Sequence, residues 1–581
     1  MKIVFVLLIF ILSLPLQGRG ADYTGRWLDN YGDYTRTSAG KNDFRVKRAF
    51  RVFEKVNTAA DKGTSALPRL AVIAYGKRAY FEALADGGII INPVTLDICY
   101  EDTSLGEGDC RLAFILGHEL AHLANKDSMY EEALDKKELK IPVARFRELF
   151  ADPQGAIFAA MAGYEIGELF NEDNNFLSHL AQKTGIIYTE AGTKHPTFLR
   201  RFEFTRSQLR AIIKRLELFK TGVLLLQMGK YTDGAAAFRA FSNSYPAREV
   251  FNNLGVCYLN LALSHLRLKF RDDYSRFRLS TVIDYHTSAE KLYFRGEEDY
   301  LKDKDISFLI EKAVFYFREA AYRDRHDRTC RLNLSAAFIL KKNYTAALAQ
   351  CDLLLEKNPK DIETLNNKAI ALYYYGKEIC QTVSLKTVAV LENARELVPN
   401  NYEVVYNLAS LARETKQPDK AKHLWEAYLN LANIPRDNFY MHTCKELARK
   451  EQEVVVKTAL PLVPGGISLG KEIVPLLKKW KGEKVYKYNL TSEEDEPDKW
   501  SVSLRVIVKQ DLRVLVWEGF IVLVEKTLAR AKSASQQLKR FGPPQKITRH
   551  TGGAFYVYED RGFSFKEIDG KIRSYTWFKI K

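Results

Sequence analysis

Paired cysteines are missing from this chain. Its 7 cysteines are scattered over 581 residues, and an odd number cannot pair completely. None stands in the close doublets that bind structural zinc, which excludes a metal site built from cysteine alone. Cys99 and Cys110 flank a short loop and can form a disulfide in an oxidising compartment. Cys257, Cys330, Cys351, Cys380 and Cys444 fall mostly within helical patterns and read as small core residues. Long apolar runs are scarce too. After the first residues, no segment stays apolar over the roughly 18 residues that a spanning helix needs, so the mature chain is expected to be soluble. Tracts of one charge sign are also missing. The formal net charge of +16 arises from bases mixed with acids along the whole chain. Such a diffuse excess favours acidic partners or an anionic membrane surface, which leaves peripheral membrane association open. With no arginine-rich segment and no recognised module, it argues against a nucleic-acid partner.

The first feature present is an N-terminal signal. Lys2 precedes an apolar stretch, Ile3 to Leu16, that is too short for a comfortable span, and Gly18-Arg19-Gly20 offers a cleavage site before Ala21. Residues 1–20 therefore read as a secretory signal peptide, with an uncleaved anchor as the alternative, and the chain as periplasmic or secreted. No cysteine follows the stretch, which argues against a lipoprotein anchor.

The most informative residues are His118-Glu119-Leu120-Ala121-His122, an H-E-x-x-H motif inside the apolar run Leu112 to Gly117. Spacing of four puts both imidazoles on one face of a helix, one turn apart, where they can hold one Zn2+ ion, with Glu119 placed to take a proton from water. Asp109 is the expected N-cap and Asn125-Lys126 the expected stop, giving a helix from Cys110 to Ala124. A catalytic zinc needs a third protein ligand and an open fourth position. Glu148 can supply it, while Asp152, four residues on, can accept a hydrogen bond from a ligating histidine and fix its tautomer. A surface acid pair is the bland alternative for these two.

H-E-x-x-H followed by Glu148-x-x-x-Asp152 and Ala162-Gly163-Tyr164 resembles the HtpX and CAAX-prenyl-protease family of zinc endopeptidases. Glu82 to Asn92 is similar to the family's strand before the active-site helix, and His195-Pro196 with Arg201 is similar to its H-P-x-x-x-x-R segment. The resemblance spans roughly residues 40 to 205. It implies His118, His122 and Glu148 as zinc ligands, Glu119 as general base and Asp152 behind the ligands. Pro153 departs from the family pattern, and it predicts either a kink or a new helix beginning with Asp152 as its N-cap. Gly88-Ile89-Ile90-Ile91 reads as a strand able to pair with an extended substrate, or else as an ordinary core strand. His195 has two opposed readings, an oxyanion donor or a fourth zinc ligand that locks the enzyme. Arg201 either supports the oxyanion or pairs with a carboxylate.

From residue 211 to about 450 the pattern is helical, with a weak repeat of roughly 34 residues. Gly222, Leu225, Phe238 and Pro246 have tetratricopeptide spacing, echoed by Leu334, Phe338, Ala347 and Pro359, and by Leu408, Ala412, Ala421 and Trp425. Leu365, Ala369 and Leu372 start another unit, closing at Pro399 after an insertion near Lys377 to Lys386, while residues 262 to 308 fit poorly. Stacked units make a concave surface for a protein or peptide partner. Leu462 to Gly466 reads as a linker. Beyond it, strands are expected at 500–508, 520–524, 556–558, 562–565 and 572–578, with short helices led by Ile467 to Lys471 and Ala534 to Leu538.

The fold class expected is therefore multidomain: a signal peptide (1–20), an α+β zincin-type (gluzincin) metallopeptidase domain (21–210), an α-helical tetratricopeptide solenoid (211–450) and a small α+β C-terminal domain (460–581). A peptidase followed by such repeats resembles BepA-type periplasmic proteins, which implies an exported zinc metalloendopeptidase in protein quality control, acting on unfolded or misassembled envelope proteins. The rival expectation is a repeat-based chaperone or assembly scaffold with a latent peptidase site.

Overall fold

The computed structural model describes residues 22–61, 67–127, 137–164, 166–169, 176–184, 198–227, 229–243, 245–270, 277–280, 292–294, 300–325, 327–379, 385–431, 434–447, 461–464, 467–480, 483–491, 501–550, 553–568 and 570–579. The expected signal segment, His195 and Cys380 lie outside them. The chain divides into two compact units, Met1–Leu209 and Arg210–Lys581.

The first unit begins with helices α1 (Tyr23–Tyr31), α2 (Ser38–Asn42) and α3 (Phe44–Ala59). In α3 the residues Val46, Ala49, Val52, Phe53, Val56 and Ala59 recur at helical spacing, and all are buried. Strands β1 (Arg69–Val72), β2 (Phe81–Ala83) and β3 (Gly88–Ile91) form one small sheet in the order β1-β3-β2. β3 runs parallel to β1 and antiparallel to β2. The expectation that Gly88 to Ile91 could take on a substrate strand is therefore corrected. β3 is the central strand, its hydrogen bonds are used on both edges, and all four of its residues are buried. That is why it reads as a continuous apolar run.

Helix α4 (Pro93–Tyr100) starts with Asn92 as cap and Pro93 at its first position. Helix α5 (Leu105–Asn125) carries the motif and starts five residues before the expected Cys110. Its cap is Ser104, whose hydroxyl accepts from the Glu107 amide, in place of the cap sought at Asp109. Asp109 sits inside the helix, held by Arg48 at 2.6 Å and the Tyr100 hydroxyl at 2.7 Å. The stop is as read: Lys126 takes a left-handed backbone, φ 56°. The disulfide left open between Cys99 and Cys110 is not formed; Cys99 is a free thiol fully buried in the core.

Helix α6 (Lys137–Met161) packs along α5 and runs unbroken through Pro153. Of the two outcomes expected at Pro153, a new helix capped by Asp152 is thus absent, and the helix continues through the proline. α5 and α6 touch backbone to backbone at Gly117 and Gly155. A Cβ on Gly117 would fall 2.4 Å from the Gly155 carbonyl oxygen, and one on Gly155 would fall 2.4 Å from the His118 nitrogen. Helix α7 (Phe176–Thr184) follows, and the unit boundary falls within α8 (Phe198–Gln227).

The second unit contains helical hairpins and a sheet. The helices are α9 (Tyr231–Ser242), α10 (Arg248–Phe270), α11 (Lys304–Arg323), α12 (Arg328–Leu340), α13 (Tyr344–Lys357), α14 (Ile362–Glu378), α15 (Leu385–Leu397), α16 (Tyr402–Glu414), α17 (Pro418–Asn430) and α18 (Asn438–Glu446). Neighbours in sequence pack on one another. Small-against-large contacts set their spacing: Gly222 lies against the Phe238 ring, and Gly255 against Phe317. The poorly matching stretch between α10 and α11 contains a two-stranded ribbon, β4 (Phe277–Leu279) paired with β5 (Leu292–Phe294).

After a short helix α19 (Val474–Lys479) come β6 (Lys484–Thr491), β7 (Ser501–Lys509), β8 (Leu512–Trp517), β9 (Phe520–Ser533), α20 (Ala534–Phe541), β10 (Lys546–His550), β11 (Gly553–Tyr558), β12 (Phe563–Ile568) and β13 (Lys571–Phe578). The strands form an antiparallel sheet of eight in the order β10-β11-β12-β13-β9-β8-β7-β6. One face buries Val514, Val516, Phe563, Phe565, Tyr575 and Trp577 beneath Leu538 and Phe541 of α20. The short helix expected to be led by Ile467 to Lys471 begins just after that segment, at Val474. The segment itself turns through Gly470 (φ 78°) and bridges to β9 through Glu472 and Phe520. No described helix is long and apolar enough to cross a membrane.

Candidate metal centre

Helix periodicity delivers the two motif histidines to one face of α5, and the Gly117–Gly155 contact brings α6 close enough for its own side chains to meet them. His118 Nε2 lies 3.0 Å from His122 Nε2. Glu148 of α6 reaches both, with Oε2 3.6 Å from His118 Nε2 and Oε1 3.5 Å from His122 Nε2. These three are the His/Cys/Asp/Glu group among the described residues whose donor atoms converge, all within 4.8 Å of one another. Donors around a tetrahedral zinc with bonds of about 2.0–2.2 Å stand about 3.3–3.5 Å apart. The Glu148 separations of 3.5 and 3.6 Å, made by its two different oxygens, are close to that range, and the 3.0 Å between the histidine nitrogens is shorter than it.

Behind each imidazole stands a carboxylate. Asp152 Oδ1 is 3.0 Å from His118 Nδ1, and Asp127 Oδ2 is 2.8 Å from His122 Nδ1. Both leave Nε2 turned toward the group, the arrangement that orients ligating histidines. Each carboxylate is in turn held by an arginine. Arg201 grips Asp152 with Nε at 2.7 Å and Nη2 at 2.6 Å, and Arg147 lies on Asp127 at 3.4 Å while donating to its main-chain oxygen at 2.7 Å. Of the two roles open for Arg201, the geometry takes the carboxylate partner, with Nη1 also 3.6 Å from Glu148. Asp127 and Arg147 were missed in the sequence, where an acid five residues after the second histidine and an arginine next to Glu148 were the available signals.

Burial sets the charges. It pushes the Glu119 carboxyl above its ordinary range, with the two histidines pulling partly back. For His122 burial opposes charging, but Asp127 and Glu148 outweigh it and raise the ring to about 9. For Asp152 burial is likewise overcome, by Arg201, which holds the carboxyl low. Glu119 itself is buried, with Oε1 4.0 Å from His118 Nε2. The structure thus brings together His118, Glu119, His122, Glu148, Asp152 and Arg201. Gly88 to Ile91 lie in the middle of the sheet, and the strand that packs on α5 from the sheet's edge is β2.

Comparison with known proteins bears on the second unit. The tetratricopeptide repeat family matches residues 219–261, which fall on α8, α9 and α10. Solved structures that resemble the chain include MamA from residue 41 onward of Desulfovibrio magneticus RS-1, at 13% identity over 38% of this chain and 94% of that chain, TM-score 0.26. YrrB, titled a tetratricopeptide protein with an unusual peptide-binding site, is similar at 12% identity over 41% of this chain and 97% of its own, TM-score 0.24. Yeast Tom70 is similar at 15% identity over 72% of this chain and 75% of its own, TM-score 0.26. No curated protein sequence matches the chain.

Proposed function

We propose that the chain is a zinc-dependent endopeptidase attached to a repeat-based protein-interaction scaffold. The observation that supports it is the convergence of His118 Nε2, His122 Nε2 and Glu148, with each histidine's Nδ1 on its own carboxylate. His118, His122 and Glu148 would hold the ion. Bound zinc supplies a Lewis acid that polarises a scissile carbonyl and acidifies water. Glu119 then takes the proton of the attacking water and returns it to the leaving amine, a role its raised pKa suits. Asp152 with Arg201, and Asp127 with Arg147, keep the two rings aimed. An extended substrate can align on β2, the edge strand next to α5, and read main chain rather than side chain. In this reading the zincin-type domain is the first unit, the site acts outside the cytoplasm on unfolded or misassembled envelope proteins, and the repeats recruit substrate or partner.

The second reading is a scaffold whose peptidase is latent. It is favoured by the repeat match at residues 219–261, which bears on protein binding and not on hydrolysis. The full chain separates the two when its zinc content and its cleavage of an unfolded protein are measured beside Glu119→Gln. The peptidase reading expects bound zinc in both proteins and a rate reduced on the order of 10²–10⁴-fold in the variant. Bound zinc with no cleavage in either selects the scaffold. Absence of zinc from the wild type defeats the metal assignment.

A further inference from the structure

An asparagine recurs at one position of successive repeat helices: Asn253 in α10, Asn333 in α12, Asn367 in α14 and Asn407 in α16, with Asn252 and Asn366 one residue earlier in two of them. All six are fully buried. Part of this row grips a piece of the chain's own backbone. Asn407 accepts from the Arg278 amide at 2.6 Å and donates to the Arg278 carbonyl at 2.9 Å. Asn366 donates to the same carbonyl at 2.7 Å. Asn367 repeats the pattern two residues on, accepting from the Ser280 amide at 2.7 Å and donating to the Ser280 carbonyl at 2.8 Å. Alternate residues of a strand turn their polar groups to the same edge. One edge of β4 is therefore read by asparagines while the other pairs with β5.

Side chains fill specific slots. Phe277 meets Tyr373 at 4.8 Å and Tyr374 at 5.9 Å between ring centroids. The Arg278 guanidinium is fully buried, 4.0 Å from the Phe439 ring centre and 5.2–5.5 Å from those of Tyr402, Tyr406 and Tyr428, with Asp437 as its ion partner. Leu279 is buried, and the Ser280 hydroxyl donates to Glu403 at 3.1 Å.

We propose that this inner face of the repeats is a peptide-reading groove, that Phe277 to Ser280 is its built-in competitor, and that its external ligand is an extended segment of the order aromatic, arginine, aliphatic, small. Two observations carry this. The five main-chain hydrogen bonds are independent of side-chain identity, so they serve any strand laid in the same register. The gripped segment also belongs to the insert between Phe270 and Lys304 and to no repeat helix, so its departure breaks no helix. An empty groove would leave buried asparagine amides without partners, which is costly, so one strand must replace another. Self-occupancy lowers apparent affinity in proportion to the open fraction.

The test uses the full chain and a labelled synthetic peptide carrying Phe-Arg-Leu-Ser. Arg278→Glu sets a second carboxylate against Asp437 and expels the internal segment. The variant is expected to bind the peptide at least about tenfold more tightly than wild type, and Asn367→Ala in that background is expected to lose the gain. A folded Arg278→Glu protein that binds no peptide overturns the proposal. Hydrogen exchange of the wild type provides the second measurement, and it decides the question if that variant fails to fold. Saturating peptide is expected to speed exchange at the Arg278 and Ser280 amides, and a control peptide with glutamate in place of arginine is not. Unchanged exchange at both amides overturns the proposal as well.

Discussion

Gly155 sets how near α6 comes to the motif helix, and so how near Glu148 comes to the two histidines. A methyl group there meets the His118 backbone at 2.4 Å, and backbone cannot swing aside as a side-chain tip can. Gly155→Ala is expected to cost about 1–3 kcal/mol of stability in a thermal melt and to weaken zinc affinity measured by chelator competition. Gly376→Ala is the matched control. It lies inside α14 with nothing within 4 Å of the added carbon, so the change is expected to be neutral or to stabilise by up to about 1 kcal/mol. At this scale His118 and His122 were readable because helical spacing alone puts them on one face, and Glu119 because it stands between them in the H-E-x-x-H motif. Glu148 and Asp152 were readable because they share that spacing on the next helix. Arg201 could not be assigned, since only folding shows that its guanidinium reaches Asp152 across 49 positions of sequence. Asp127 escaped notice because it lies beyond the helix stop, where no period applies.

Elements were legible where period or capping spoke clearly. The stop of α5 was found at Asn125-Lys126, but its start was missed because Ser104, not Asp109, is the cap. α6 survives Pro153 because packing against α5 and the double grip on Asp152 outweigh one lost hydrogen bond. β6 and β10 went unread, since their many polar residues resemble loop until partners supply the ladder, and β8 is a short apolar run that periodicity alone does not mark as strand. One link between elements makes stability depend on pH. Arg513 of β8 holds Glu217 of α8 at 3.0 Å, and Lys220 lies 3.2 Å away. Burial alone would raise the Glu217 carboxyl, but these cations bring it down to about 2. A carboxyl depressed in the folded state stabilises fully above its unfolded value near 4.5, and that contribution fades as pH falls toward 2. The gap between wild type and Glu217→Gln in urea melts, on the order of 3 kcal/mol at neutral pH, is expected to close over that window.

At the scale of the whole molecule, the division at Leu209 and Arg210 implies that unfolding is not a single step. Calorimetry of the full chain is expected to resolve two transitions. A chelator is expected to lower the one belonging to the first unit and leave the other in place, because a bound ion stabilises only the fold that holds it. A single transition unmoved by chelator would count against metal in the first unit. The carboxylate–arginine arrangement around the histidines has an electrostatic consequence of its own. Glu119, Glu148, Asp127 and Asp152 stand near the histidines with Arg147 and Arg201 beside them, and Glu82 adds its negative field at Glu119, so the local charge favours a cation. The chain around it carries +16. From afar such a chain repels the very cation that the proposed site would capture, and salt, with a screening length of about 8–10 Å, is expected to relieve the repulsion while leaving the capture largely untouched.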